Sequence, residues 1–433
     1  MTSSPHGPLP GPPPGPPHRP PDRPPAGPPD RAQRRLPRWS ELAPLLAVRA
    51  PRWTAAGRVE SAAAVADLRL MARRRTPRAV FDYTDGGAGD EISLRRSRQA
   101  FARVEFRPSV LRDVSVVDPS TTLMAGPAAM PLAFAPTGFT RMMHHHGEPA
   151  VARVAARAGI PITLSTMGTT SLESLAEAAP LARRWFQLYL WRDRDASKDF
   201  VARAEASGYE ALVLTVDTPV GGNRRRDVRN GLTIPPALTL KALADLALHP
   251  VWWANALTTE PLQFASLTSW GGTVTDLANK VFDPAATIED VRWLRDTWPG
   301  RLVIKGIQGP DDARAVVDAG ADAVIVSNHG GRQLDRSPVP LEVLPEVVAA
   351  VGDRAEVLID GGVLTGADVL AAVAFGASGV LIGRAYLYGL MAGGEAGVAR
   401  VAQIFDAEIR HGMQLLGVTS IGELTPDRVR LRP

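Results

Sequence analysis

The chain has 433 residues, with 39 Pro, 39 Gly and no Cys, and is 45% hydrophobic and 22% charged. That is enough chain to bury one large core or two modest ones. The missing cysteines exclude a disulfide framework, a Cys-ligated zinc site, an iron–sulfur cluster and a thiol nucleophile, and they fit a reducing, cytoplasmic setting. Residues 1–38 hold six Arg and two Asp, which account for the whole formal charge of +4. The formally neutral remainder lacks the basic face of a nucleic-acid binder, so no nucleic-acid partner is expected. No apolar run approaches the roughly 18 residues of a membrane-spanning helix. Only four of the 49 basic residues are Lys: Lys198, Lys241, Lys280 and Lys305.

Residues 1–40 read as a Pro-rich disordered tail, since 15 prolines fall within the first 38 residues and leave little to bury. The tail also lacks the apolar segment of a secretory signal. The body is expected to run from 41 to 433, with residues 41–129 forming helices and a lid. From Met130 onward, short apolar runs alternate with Ala-rich amphipathic stretches. The expected strands are Leu132–Pro136, Pro161–Ser165, Trp185–Tyr189, Ala211–Val216, Leu302–Gly306, Ala323–Ser327, Glu356–Asp360 and Gly379–Gly383. Helices are expected at Gly147–Arg157, Ser171–Glu177, Asp311–Ala319 and Gly366–Ala374. Continuous apolar strands alternating with helices imply a parallel sheet covered on its outer face. Eight such units in about 250 residues match an α/β fold of the (β/α)8 TIM-barrel type. A doubly wound open sheet is the rival, but no Gly-rich turn follows the first strand. One long insertion, roughly 231–283 and containing Trp252, Trp253 and Trp270, follows the fourth strand.

In such a barrel, polar residues at the C-terminal ends of strands are the active-site candidates. The fifth strand places Lys305 there, either as a reactive amine, as a cation beside an electron-rich ring, or as one half of a salt bridge. The sixth strand runs into Ser327-Asn328-His329-Gly330-Gly331-Arg332. His329 suits a base, and Arg332 can grip a carboxylate through two hydrogen bonds. Asp360-Gly361-Gly362 and Gly383-Arg384, after the last two strands, offer backbone N–H groups and a guanidinium to a phosphate. Asp217, after the fourth strand, can orient a histidine, and one Arg of the run Arg224-Arg225-Arg226 is expected to turn inward. Gln187 and Tyr189 share one face of the third strand. His144-His145-His146 is not expected to hold a metal, because three adjacent side chains converge poorly on one ion. By themselves these residues leave open an oxidoreductase, a phosphate-binding barrel isomerase, and a scaffold that recruits partners through its tail.

The motifs FDYTDGGAGDE (81–91), APTGFTRMMHHHGE (135–148), TLSTMGTTS (163–171), FQLY (186–189), TVDTPVGGNRRRDVRNG (215–231), VIKG (303–306), VSNHGGRQLD (326–335), DGG (360–362) and IGRAYLYGL (382–390) together resemble the FMN-dependent α-hydroxy-acid dehydrogenase/oxidase family. The wording is most similar to the actinobacterial, cytochrome-linked L-lactate dehydrogenases within it. The resemblance implies His329 as base, Asp217 as the carboxylate behind it, Arg332 and Arg224 as carboxylate clamps, and Tyr83 and Tyr189 as substrate hydrogen-bonders. It implies Lys305 as the cation beside the flavin N1/O2 edge. A unit charge ~4 Å away at an effective dielectric of ~20 is worth about 4 kcal/mol. Thr137, Gly138, Ser165, Gln187, Thr215 and Ser327 are implied as isoalloxazine contacts. Asp360, Gly362, Gly383 and Arg384 are implied as ribityl and phosphate contacts. One position departs: many members carry Arg two residues after DGG, and this chain has Leu364. Met167 stands where some oxidases have Trp. The implied reaction is oxidation of an L-2-hydroxy acid, foremost L-lactate to pyruvate, with a quinone or cytochrome as electron acceptor. Oxygen as acceptor, or glycolate, mandelate or a longer acid as substrate, are the alternatives. The resemblance also implies a homo-oligomer, a tetramer, and the tryptophans of the insertion fit peripheral contact with the inner face of the cell membrane.

Overall fold

The computed structural model describes residues 36–46, 54–231, 244–245, 247–260, 262, 265 and 282–433. Residues 1–35 of the expected tail, and most of the insertion including Trp270, lie outside the described residues. The first unit, Met1–Pro51, contributes one described helix, Trp39–Leu42, followed by a 3-10 turn, Ala43–Leu45.

The second unit, Arg52–Pro433, holds the barrel. Its strands are β1 (Leu132–Phe134), β2 (Ile162–Ser165), β3 (Arg184–Leu188), β4 (Ala211–Thr215), β5 (Arg301–Ile307), β6 (Ala323–Val326), β7 (Glu356–Asp360) and β8 (Gly379–Ile382). All eight pair in parallel and in chain order, and β8 closes onto β1. Each falls where the apolar runs place it, within one or two residues. The four expected helices appear as Gly147–Ala158, Leu172–Ala178, Pro310–Asp318 and Gly366–Ala374. Their apolar faces pack on the outside of the barrel in one continuous core.

The interior is a second, smaller core. Ala133, Trp185, Ala211, Val213, Val303, Ala323, Ile325, Leu358 and Leu381 fill it. Small Ala and Val side chains leave room for the one large ring, that of Trp185, which is fully buried. A hairpin, Thr121–Leu123 with Gly126–Ala128, brings Leu123, Met124 and Ala128 into this same core and so plugs the barrel. Residues ahead of the barrel form the helices Val65–Arg75, Arg78–Asp85 and Ile92–Ala102. The first of these packs along the closing helix, Arg384–Leu416, which kinks at Gly393–Gly394. The chain end returns as a strand, Val429–Leu431, antiparallel to Val104–Phe106. Thus the segment before the barrel is tied to the segment after it, and the turn at residues 83–87 is held beside the strands' C-terminal ends.

Candidate active site

Strand alternation decides which side chains reach the site. Two residues beyond the interior Trp185, Val213, Val303, Ile325 and Leu358 come Gln187, Thr215, Lys305, Ser327 and Asp360, on the same faces. All five are buried. Four of them line a cavity of about 750 Å³, together with Thr137, Gly138, Ser165, Tyr189, His329 and Arg332. Ser327 stands behind the wall instead: its hydroxyl accepts from Lys305 Nζ at 2.9 Å and from the His329 amide at 3.0 Å.

His329 Nδ1 lies 2.9 Å from Asp217 Oδ1, with the carboxylate 2% exposed and the imidazole 19%. Burial pushes His329 below its ordinary value, Asp217 opposes that shift, and Lys305 and Arg224 add to it. The ring is therefore neutral at pH 7. Asp217 is held low against its burial, chiefly by His329 and then by Lys305, and stays ionised. The two residues follow β4 and β6, so their contact must cross β5. It does so over Gly306. The register of β5 on β6 slips between Lys305 and Ile307, and Gly306 adopts φ +109° there. A Cβ on Gly306 would lie 2.8 Å from the Asp217 side chain. The residue ahead of that irregularity is Lys305, 2.8 Å from Asp360 Oδ2. Burial works against its charge, but Asp360 and then Asp217 outweigh it and hold the ammonium above its ordinary range.

Arg332 and Arg224 both face the ring of Tyr83, at 4.8 and 5.7 Å from its centroid. Burial, then Arg224, brings Arg332 down to about 9, still cationic at neutral pH. Burial and Asp217 push Tyr189 above its ordinary range, so its hydroxyl stays protonated. Arg332 donates to the carbonyls of Tyr83 and Gly86, and Arg384 to those of Thr84 and Gly86. The turn at 83–86 is thus gripped by both guanidiniums.

Residues 72–431 match one protein-family model, FMN-dependent dehydrogenase. The chain belongs to the FMN-dependent dehydrogenase family. A Mycobacterium tuberculosis protein named "Putative L-lactate dehydrogenase" is 54% identical over 397 residues, 92% of this chain and 96% of that one. An L-lactate oxidase of Nostoc sp. is 42% identical over 357 residues, 82% of this chain and 94% of that one. Among solved structures, the monotopic membrane protein (S)-mandelate dehydrogenase matches with a TM-score of 0.83 at 38% identity, covering 86% of this chain and 100% of that one.

The family's cofactor is FMN, and the cavity's chemistry fits it. Gln187 Nε2, Thr215 Oγ1, Asp360 Oδ1 and Arg224 Nε are buried without a partner among the described residues. A buried polar group left unpaired costs about 1–3 kcal/mol, so four facing one cavity call for a polar ligand. At one end the cavity is lined by Gly361 and Gly362, which both take positive φ, +93° and +87°, so the backbone there lies against the cavity with no side chain between. Gly383 caps the N-terminus of the closing helix beside them. Ser165 Oγ donates to Gln187 Oε1 at 2.8 Å, and Thr137 Oγ1 is paired with the Tyr386 hydroxyl, so each hydroxyl already has a partner within the protein. Gly138 has a packing reason of its own: a Cβ there would come within 2.9 Å of Met167.

Sequence reasoning missed several supports of the site. Gln333 ties the loop after β4 to the loop after β6, donating to Asp217 O and Val220 O and accepting from Gly222 N. Arg226 pairs with Asp85 and Glu91, and Tyr388 and Arg69 also reach Asp85. Gln333 lay inside a quoted motif, whereas the Asp85 contacts carried no local signal. The nitrogens of His144, His145 and His146 lie within 4.8 Å of one another, closer than adjacency led us to expect. Two of them already accept backbone amides, His144 Nδ1 from His146 and His146 Nδ1 from Glu395.

Gly306→Ala is predicted to fold, retain flavin and lose about a hundredfold in the rate of anaerobic flavin reduction, because a displacement near 1 Å at a reacting group costs about that much. Stopped-flow reduction at the parent rate would show that the Asp217–His329 contact does not depend on this turn.

Proposed function

We propose that this enzyme oxidises an L-2-hydroxy acid to the 2-oxo acid, with L-lactate to pyruvate as its reaction. The observation that carries the proposal is the buried Asp217–His329 pair opening onto the same cavity as two guanidiniums stacked on Tyr83. A base beside two carboxylate-binding cations fits an acid whose reacting carbon adjoins its carboxylate. The names of the relatives favour lactate.

Arg332 and Arg224 hold the substrate carboxylate, which fixes the reacting carbon against the cavity floor. The Tyr83 and Tyr189 hydroxyls orient the substrate from the same side. His329 Nε2 takes the substrate proton, while Asp217 fixes Nδ1 and stabilises the imidazolium that forms. Bound FMN supplies the acceptor for the electron pair released at the substrate carbon. Lys305 keeps a buried positive charge in the cavity floor throughout. The electrons then leave to a quinone or a cytochrome.

A second reading concerns substrate size. Phe139, Met167 and Phe282 give the cavity an apolar wall, with Phe282 packed edge-on against Tyr189 at 5.1 Å. That wall suits an aromatic or longer side chain as well as a methyl group. Among the described residues, no helix is long and apolar enough to cross a membrane. The helix Pro250–Thr258 nevertheless exposes Val251, Trp253 and Leu257, and we assign it a peripheral membrane contact. Pelleting with anionic lipid vesicles checks this, and full recovery in the supernatant would oppose it.

Anaerobic addition of L-lactate to the purified yellow protein is predicted to bleach the flavin bands, with slow recovery in air. A flavin that stays oxidised with lactate but bleaches with mandelate would establish the second reading. The rate of bleaching is also predicted to depend on pH. Only neutral His329 accepts a proton, and its value lies below 6.5, so the rate is lost as pH falls through that lower value and is constant above it until Arg332 loses its charge near pH 9. A midpoint at or above 6.5 would overturn the proposed environment of the base.

A further inference from the structure

A phosphate monoester carries about −1.5 to −2 charge near neutral pH, more than one guanidinium balances. The end of the cavity marked by Gly361, Gly362 and Gly383 has Arg384 beside it, but the turn itself offers only the apolar Leu364. A second cation reaches the same end from outside the barrel. Arg98, on the helix Ile92–Ala102, lines the cavity next to Leu364. Its Nη1 donates to Gly362 O at 2.9 Å and to the Asp368 carboxylate. That carboxylate also accepts the amides of Leu364 and Thr365, each at 2.9 Å. The guanidinium is therefore anchored to the turn after β7 through one nitrogen. Its Nε and Nη2 have no hydrogen-bond partner among the described residues, the guanidinium lies 6.0 Å from the centroid of the Phe101 ring, and the side chain is 40% exposed. Three N–H donors in a planar fork thus remain at the edge of the cavity.

We propose that Arg98 is the second cation on the FMN phosphate and fills the role that Leu364 cannot. Arg384 and the amides of the 361–363 turn hold the phosphate from within the barrel, and Arg98 closes on it from the preceding helix. Asp368 is the positioning residue: it fixes Nη1 and leaves the rest of the fork free. The inference rests on the FMN reading of the cavity. Its consequence is a preference for FMN over riboflavin that depends on a residue more than 260 positions away from the turn it serves.

The test is binding, read by quenching of flavin fluorescence as the stripped protein is refilled with FMN or with riboflavin. Arg98→Met is expected to raise the Kd for FMN about tenfold, the usual worth of a charge-assisted contact, and to change that for riboflavin by less than about twofold. Adding Leu364→Arg to that variant is expected to restore FMN affinity. An equal loss for both flavins would reduce Arg98 to a structural partner of Asp368, and no loss for either would remove it from the phosphate; both overturn the proposal. If Arg98→Met does not fold, Leu364→Arg in the parent chain decides. Tightening of FMN by less than about threefold means the second cation is already present, whereas about tenfold tightening means the place was vacant. Failure of the parent protein to bind either flavin would instead sink the FMN reading itself.

Discussion

The active site depends on one contact that has to cross a strand. Asp217 leaves β4, His329 leaves β6, and β5 runs between them. A regular β5 with a side chain at 306 would fill the space that the Asp217 carboxylate occupies. The slip in register at Lys305–Ile307 and the positive φ of Gly306 remove that obstacle. The backbone on the far side is unusual too. His329, Gly330 and Gly331 take φ of +57°, +61° and +71°, and the first of these is a left-handed conformation that a residue with a Cβ adopts at a cost. The Ser327 hydroxyl accepts the His329 amide, the Asn328 side chain accepts that of Gly331, and Asp217 takes the imidazole. The strain is held in place by partners that also belong to the site.

The same arrangement settles the charge of the base. A histidine buried beside Lys305 and Arg224 loses its proton readily, and one beside Asp217 keeps it. Here burial and the cations win by a margin that leaves the ring neutral, while the carboxylate stands ready to stabilise the charged form. Lys305 is set against two carboxylates, Asp360 and Asp217, so it remains an ammonium despite full burial. The reactive-amine role that its position alone allowed requires a neutral amine, and this environment opposes one.

Much of this was legible in the chain because a parallel barrel converts pattern into place. Period-two alternation carries the interior residues of each strand directly to Gln187, Thr215, Lys305 and Asp360, and closure in chain order turns separate strand ends into one ring. What stayed hidden depends on contacts without a period. Tyr388 meets Asp85 across 303 positions, and Arg384 meets Thr84 across 300. The inward turn of one Arg from 224–226 was expected, but two turn in, and only Arg224 faces Tyr83; Arg226 holds the acidic residues around Asp85. The resemblance implied Ser327 as a flavin contact, whereas here its hydroxyl is the partner of the buried Lys305 ammonium.

The preference for Arg over Lys throughout the chain has a structural counterpart. The backbone at 83–86 presents carbonyl oxygens to Arg332 and Arg384, two guanidiniums that also line the cavity. A guanidinium has five donors in a fixed fork, so Arg332 and Arg384 can each give some of them to these carbonyls and keep others for a ligand. A lysine ammonium in the same place would hold the turn or the anion with little left for the other. Arg69 and Arg226 hold Asp85 from the outer side of the same turn. The segment ahead of the barrel is therefore tied to the site by the same two guanidiniums, Arg332 and Arg384, that line the cavity, so a change at either one reaches both the cavity wall and the anchoring of that segment.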